Sequence, residues 1–227
     1  MTSVEGVRPR RGRPRRVDRE RIIEAAKVLD PSTLTMQALA EEIGVDRKTL
    51  HYHVDNRESL LRMVAADAFR EAVTAHEFTP EKDWRKAIRA FAHITRDAVT
   101  AAGAWASYVG YETEADLEAI RPAEAAAEAL VAAGLPEAEA GRVIALLAGL
   151  AFTSATDRSI PKTAGRHPQE PVLEHLLQKA PQEEFTLLRK LVGGRSTELG
   201  TEEQFAFNLE IVSLGVERLL ERPKAQL

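Results

Sequence analysis

The most informative pattern of helix signals in the chain lies in the segment "LTMQALAEEIGVDRKTLHYHVDNRESLL", Leu34–Leu61. Thr35 can cap a helix that follows it, because its hydroxyl can accept a hydrogen bond from a free backbone N–H of the first turn. Gly44 can end that helix, since glycine tolerates the left-handed conformation beyond a helix terminus. Asp46 can cap a third helix over about Arg47–His53. Two short helices joined by a glycine-containing turn predict a helix-turn-helix.

Helices on both sides complete a compact unit. Asp18 can cap a helix that runs to about Leu29. Asp55 with Glu58 forms an Asp-x-x-Glu start for a long helix that ends near His76. We therefore expect three segments along the chain: a basic flexible arm at 1–17, a helix-turn-helix domain at 18–64 and a larger body at 65–227.

The rest of the chain has helical spacing of Ala and Leu, and strand-like alternation is scarce. The sequence predicts an all-α protein, in which a three-helix helix-turn-helix domain precedes a C-terminal helical domain. Thr156–Pro171 is polar and contains proline, so we expect a long loop there. The spacing predicts further helices at about 82–101, 105–110, 114–133, 137–156, 171–179, 182–192 and 202–221.

Charge is distributed unevenly. Residues 1–62 contain 13 Lys and Arg and 10 Asp and Glu, which leaves 18 basic and 25 acidic residues of the 31 and 35 in the chain. The absence of Cys excludes disulfides and thiol-bound metals. No apolar run reaches the roughly 18 residues of a membrane span, and the basic N-terminal residues lack the apolar segment of a secretory signal. We expect a cytoplasmic protein with no membrane partner, no metal and no cofactor.

Six arginines crowd the first 16 residues without an acid beyond Glu5. One interpretation is a solvated disordered tail. The other is an arm that neutralises phosphates. If the segment is such an arm, Arg11, Arg13 and Arg15 of the stretch RGRPR fit a narrow minor groove of DNA.

The third helix begins with two cations. Arg47 and Lys48 lie where a recognition helix enters the major groove, and either can donate to guanine O6 and N7. His51 follows one turn later. A metal site formed by His51 and His53 is disfavoured, because side chains two residues apart on a helix point about 200° apart.

The same helix has an apolar line and a polar flank. Leu50 and Val54 are four residues apart and can face a core. Thr49 and Tyr52 lie off that line, with hydroxyls suited to phosphates. The alternative is an ordinary solvated surface helix.

The segment Leu34–Leu61 resembles the DNA-binding domain of the tetracycline repressor (TetR) family. Matching features are Leu34-Thr35, Leu39-Ala40, Gly44-Val45, Leu50–Val54, Asn56-Arg57 and Leu60-Leu61. The stretch "FAFNLEIVSLGVERLL", Phe205–Leu220, is similar to the last helix of the tetracycline-repressor branch. The resemblance implies a homodimeric, ligand-responsive transcriptional regulator, most often a repressor that a small molecule releases from double-stranded operator DNA.

Residue roles follow from the resemblance. It implies that the turn before the fourth helix is shaped by Asn56. It implies base contacts by Gln37, Arg47, Lys48 and His51. It implies phosphate contacts by Thr35, Thr49, Tyr52 and Arg57.

The resemblance further implies that two helices of the body, 65–227, pair with their mates in a four-helix dimer interface. The last helix repeats Phe205, Leu209, Val212, Val216 and Leu219. The helix at about 138–156 offers Val143, Leu146, Leu147 and Leu150 with the small residues Ala148 and Gly149. The alternative is that both stripes form intrachain core.

An effector pocket is expected around "GAWASYVGYE", Gly103–Glu112, which contains three of the five Trp and Tyr residues. Aromatic rings with a polar handle suit a mostly apolar pocket, although core packing is the alternative. In the tetracycline repressor that the chain resembles, this region provides a histidine that helps to hold a magnesium–drug chelate. No histidine lies between His93 and His167 here, so a magnesium–tetracycline site is not predicted. The expected pocket residues are His93, Trp105, Tyr108, Tyr111, Phe152 and Asp157.

Two other classes of function fit the sequence less well. An all-α enzyme is disfavoured, because the chain has no Cys nucleophile, no HExxH and no phosphate-binding glycine loop. An architectural DNA-binding factor without an effector would not need a body of roughly 150 residues.

Overall fold

The computed structural model describes residues 17–111, 113–159, 169–193 and 201–222. All regular elements in these ranges are helical, which confirms the all-α prediction. The α-helices are α1 (Arg19–Lys27), α2 (Met36–Ile43), α3 (Arg47–His51), α4 (Arg57–Thr74), α5 (Trp84–Ala102), α6 (Leu117–Ala132), α7 (Glu137–Ser159), α8 (Gln169–Lys179), α9 (Thr186–Gly193) and α10 (Glu202–Leu220). Short 3-10 helices lie at Gly103–Tyr108 and Glu114–Asp116.

The chain divides into two compact units, Met1–Val64 and Ala65–Leu227. In the first unit, the predicted caps are present. The carboxylate of Asp18 accepts from Arg21 N at 2.9 Å, Thr35 Oγ1 from Ala38 N at 3.0 Å and Asp46 Oδ1 from Thr49 N at 2.8 Å. Gly44 follows α2 with φ of 77°, in the left-handed region. Ile22, Leu39, Leu50 and Leu60 form the solvent-free centre.

The start of α4 differs from the prediction. Asn56 Oδ1 accepts from Ser59 N at 2.9 Å, so Asn56 rather than Asp55 caps the helix. Glu58 turns outward and pairs with Arg62 at 2.8 Å. The capping residue must directly precede the first helical residue, Arg57, and Asp55 is one position too early. The prediction that Asn56 shapes this turn is confirmed.

Several predicted bounds were also wrong. α1 ends at Lys27 rather than Leu29, and α3 ends at His51 rather than His53. The predicted loop Thr156–Pro171 is helical at both ends, because α7 continues to Ser159 and α8 begins at Gln169. Residues 160–168 lie outside the described residues.

The centre of the second unit lies among α5, α6, α7 and α10. Ile88, Leu130, Leu147 and Phe205 have no exposed surface and belong to one apolar cluster. Among the described residues, α7 is long and apolar enough to cross a membrane, contrary to the expectation from the sequence, and 33% of its apolar window is buried within the chain. α7 therefore leaves apolar surface uncovered by the residues that the structure describes.

Candidate nucleic-acid interface and effector unit

Two aliphatic anchors determine the orientation of α3. Leu50 is fully buried and Val54 nearly so, and this fixes which side of the helix faces outward. Arg47, Lys48 and His51 are all exposed on that outward side. Arg47 and Lys48 form no side-chain hydrogen bond or ion pair with any residue in the described ranges. The start of α3 therefore offers two cations to an external partner.

A cleft of about 300 Å³ lies beside these side chains. It brings together three of the residues expected at base edges, Gln37, Arg47 and His51, and two expected at phosphates, Thr35 and Arg57. Lys48, Thr49 and Tyr52 do not line it. The full lining is Thr35, Met36, Gln37, Arg47, His51, Asp55, Asn56 and Arg57.

Some of these side chains already have partners inside the unit. Gln37 Nε2 donates to Glu41 Oε1 at 2.7 Å, and Thr49 Oγ1 donates to Asp46 Oδ1 at 3.2 Å. The backbone N–H of Thr49 is the main cause that holds the pKa of Asp46 below its usual value. An ionised Asp46 stabilises the positive end of α3.

Arg57 is more deeply engaged than its predicted phosphate role requires. Its Nε donates to Leu34 O at 2.7 Å, and its Nη2 donates to Pro31 O at 2.7 Å and Ser32 O at 3.3 Å. The guanidinium thus ties the start of α4 to the turn before α2. Arg11, Arg13 and Arg15 lie outside the described residues.

The six residues expected at an effector pocket differ in their surroundings in the second unit. His93 meets the ring of Phe205 edge-on, with centroids 5.2 Å apart. Phe152 packs against a separate cluster that contains Phe69 and Val99. Trp105 is buried in the 3-10 helix, Tyr108 and Asp157 are half-buried, and Tyr111 is exposed.

A buried cation in this unit was missed from the sequence. Arg96 is only 4% exposed, and its Nη2 donates to Glu202 Oε2 at 2.8 Å. Its guanidinium lies 4.2 Å from the ring centre of Phe205. In the described structure, Arg96 Nε and Nη1 have no hydrogen-bond partner, and neither has the buried Oγ of Ser154. The sequence feature that could have indicated this buried cation is a positive charge on the otherwise apolar face of α5.

Glu202, at the start of α10, lies beside two arginines and a histidine. Arg158 Nη1 lies 3.7 Å from Glu202 Oε2, and His93 Nδ1 lies 3.9 Å from Glu202 Oε1. The hydrogen bond from Arg96 is the main cause that lowers the pKa of Glu202. Burial, followed by the charge of Arg96, lowers the pKa of His93. The cluster links α5, α7 and α10 electrostatically.

Two apolar faces of α10 differ in burial. Phe205, Leu209, Val212 and Val216 point into the chain's own core, so the stripe expected at a dimer interface is instead intrachain core. A second stripe is exposed: Phe207 is 56%, Ile211 53% and Leu214 55% exposed. On α7, Val143 and Leu147 are likewise core, whereas Leu146 is 52% exposed. Both helices therefore carry uncovered apolar surface.

A helix-turn-helix unit followed by a larger helical unit is the architecture of a helical transcriptional regulator. The family described as tetracyclin repressor-like, C-terminal domain, matches residues 78–220. The chain belongs to this family of TetR-type regulators. No curated protein matches its sequence.

Solved structures share the fold. The TetR family protein ActR from Streptomyces coelicolor, in complex with actinorhodin, aligns with TM-score 0.72 and 21% identity over 91% of this chain and 100% of that one. The S. coelicolor regulator SCO7222 aligns with TM-score 0.64 and 23% identity over 91% and 100%. A variant of TetR from Acinetobacter baumannii AYE, in complex with minocycline, aligns with TM-score 0.61 and 21% identity over 91% and 100%.

Proposed function

We propose that this regulator binds double-stranded operator DNA through α3. The observation that carries the proposal is the outward face of α3, where Arg47 and Lys48 are exposed and have no intrachain hydrogen bond or ion pair within the described ranges. Such side chains suit a recognition helix, because Arg and Lys at its N-terminal end can donate to guanine O6 and N7 in the major groove. Gln37 and His51 supplement them along the cleft, and Thr35, Thr49, Tyr52 and Arg57 are proposed to contact phosphates.

Selection from random duplexes tests the proposal. We expect the full chain to enrich one motif, and Arg47→Ala to lose preference at one base pair per half-site at a cost of about 1–3 kcal/mol. Lys86→Ala is the matched control, since Lys86 is an exposed cation on α5 of the second unit. A chain that enriches no duplex would reject the proposal.

The basic arm is proposed to add phosphate contacts through Arg11, Arg13 and Arg15. Deletion of residues 1–16 should weaken binding to all duplexes without altering the preferred motif. The slope of log affinity against log salt should flatten by about one for each lost contact. An unchanged slope would reject a role for the arm.

We propose that a second copy of the chain covers the exposed faces of α7 and α10. The stripe Phe207, Ile211 and Leu214 follows helical spacing, and Gly149 and Gly215 have open space around them, so a partner helix can approach closely. Ile211→Glu should yield a monomer in analytical ultracentrifugation. Glu210→Gln, at the adjacent exposed position, should leave the dimer intact. A monomeric wild-type protein would reject the proposal.

We further propose that the protein is a repressor and that a small molecule releases it from DNA. The support comes from ActR and a TetR variant, which share this fold and were solved with actinorhodin and minocycline. His93, Trp105, Tyr108, Tyr111, Phe152 and Asp157 remain the proposed effector contacts.

Native mass spectrometry after incubation with a metabolite extract tests for an effector. A ligand that releases DNA must bind more weakly in the presence of operator, by the same factor by which it weakens DNA binding. Calorimetric titration with and without operator measures this factor. Equal affinities in the two titrations would reject release by that ligand.

A further inference from the structure

The ring of His51 is held by the backbone just before α4. His51 Nδ1 lies 3.1 Å from the carbonyl oxygen of Asp55. A carbonyl oxygen can only accept, so Nδ1 must carry the hydrogen of this bond. The carbonyl of Asp55 is available because the first backbone hydrogen bond of α4 uses the carbonyl of the following residue. In that bond, Leu60 N donates to Asn56 O at 3.1 Å. The backbone therefore selects the tautomer of His51.

This tautomer determines what the other ring nitrogen can do. A neutral imidazole has a single N–H, so Nε2 of His51 retains its lone pair and acts as an acceptor. Gln37 on the same cleft donates one Nε2 hydrogen to Glu41, which leaves its Oε1 as an acceptor and its second Nε2 hydrogen as a donor. Arg47, the third reading group on the cleft, can only donate. The cleft thus combines one donor side chain with two side chains that have a free acceptor.

The bases also differ in whether they present hydrogen-bond donors or acceptors in the major groove. Adenine N6 and cytosine N4 carry exocyclic amines that donate, whereas guanine presents only acceptors and thymine an acceptor and a methyl group. We propose that His51, through the acceptor Nε2 that the Asp55 carbonyl imposes, selects a base with an exocyclic amine at one position of each half-site. This rests on the proposed DNA binding and assigns His51 a chemistry opposite to that of Arg47.

Motif selection provides the first test. The wild-type chain should require adenine or cytosine at one position per half-site, and His51→Ala should accept any base there. His53→Ala is the matched control, since His53 is also exposed but does not line the cleft, and it should retain the wild-type motif. A chain that enriches no duplex rejects the proposed function and the inference together. A motif that His51→Ala leaves unchanged rejects the inference alone.

Base analogues then test the hydrogen bond itself. Replacing the selected adenine by purine, or the selected cytosine by 2-pyrimidinone, removes only the amine. Wild-type affinity should fall about tenfold per half-site, within the range for one base contact. His51→Ala should be insensitive to the same replacement, which separates the contact from the weakened base pair. An equal loss in both proteins would overturn the proposal.

The tautomer can be measured without DNA. In the full chain with 15N-labelled histidine at pH 8, long-range proton–nitrogen correlations should show the hydrogen on Nδ1 of His51, with the signal assigned by its loss in His51→Gln. A hydrogen on Nε2 would overturn the inference even if the protein binds DNA with high specificity.

Discussion

The two units place an arginine in opposite environments. In the first unit, Arg57 is half-buried and donates to three backbone carbonyls. In the second unit, Arg96 is almost fully buried and donates to the carboxylate of Glu202, while its Nε, 3.6 Å from Asp97 Oδ1, and its Nη1 have no hydrogen-bond partner in the described structure. A satisfied cation stabilises a fold, whereas a desolvated and incompletely paired cation contributes little and becomes costly when its partner is removed. The two arginines should therefore respond differently to the same substitution.

Replacing Arg57 should produce the largest effect. Arg57→Met keeps the aliphatic stem but removes the donors to Pro31, Ser32 and Leu34, so we expect a loss of about 2–3 kcal/mol in unfolding free energy. Urea denaturation of the full chain measures the loss. Arg19→Met, at an exposed position of α1, is the control and should change stability by less than about 0.5 kcal/mol. Equal effects would show that the carbonyl contacts of Arg57 contribute nothing.

Removing one or the other partner of the Arg96–Glu202 ion pair should lower the unfolding free energy by different amounts. Glu202→Ala removes the only carboxylate that is hydrogen-bonded to the buried guanidinium within the described residues and leaves Asp97, 3.6 Å from Nε, as its remaining ion-pair partner, so we expect a cost of about 2 kcal/mol. Arg96→Met removes the desolvated charge altogether, so it should cost less than about 1 kcal/mol. Glu203→Ala controls for the loss of a negative charge in the first turn of α10, because Glu203 is exposed. A larger loss for Arg96→Met than for Glu202→Ala would contradict the comparison.

This contrast also explains what the sequence could predict. Thr35, Gly44 and Asp46 were located correctly because a cap depends on residues within one turn of it. Arg96 and Glu202 are far apart in sequence, and no local spacing brings them together. α10 is apolar on two faces, so periodicity alone could not decide that Phe205 is core and Ile211 exposed. The effector pocket depends on similar long-range packing, which the sequence leaves open.

The capping correction at α4 gives a smaller expected effect. Asn56→Ala removes the acceptor for Ser59 N and should cost about 1 kcal/mol. Asp55→Ala should be nearly neutral, because the bond from His51 goes to the backbone oxygen of Asp55 and not to its side chain. Thermal and urea unfolding of both variants distinguish the two positions. A greater loss of stability for Asp55→Ala than for Asn56→Ala would support Asp55, the cap predicted from the Asp-x-x-Glu pattern, instead.

The smallest effect should be a dependence on pH in the second unit. Burial lowers the pKa of His93 below the usual value of 6.5, so the unfolded chain binds a proton more readily than the folded one. The unfolding free energy should therefore be unaffected by His93 above about pH 6.5 and fall as the pH drops from that value to the lower folded-state pKa. Glu202 acts in a more acidic window. Because its pKa is lowered in the folded state, its contribution to the unfolding free energy is complete above pH 4.5 and is lost as the pH falls through the lower folded-state pKa.

Urea unfolding between pH 5 and 7.5 measures the effect of His93. The unfolding free energy should depend less steeply on pH for His93→Gln than for wild type, with His175→Gln, at an exposed position of α8, as the control. If His93→Gln and wild type have the same slope in this window, burial of His93 beside Arg96 does not penalise its protonation, and the electrostatic contrast between the units rests on Arg96 and Glu202 alone.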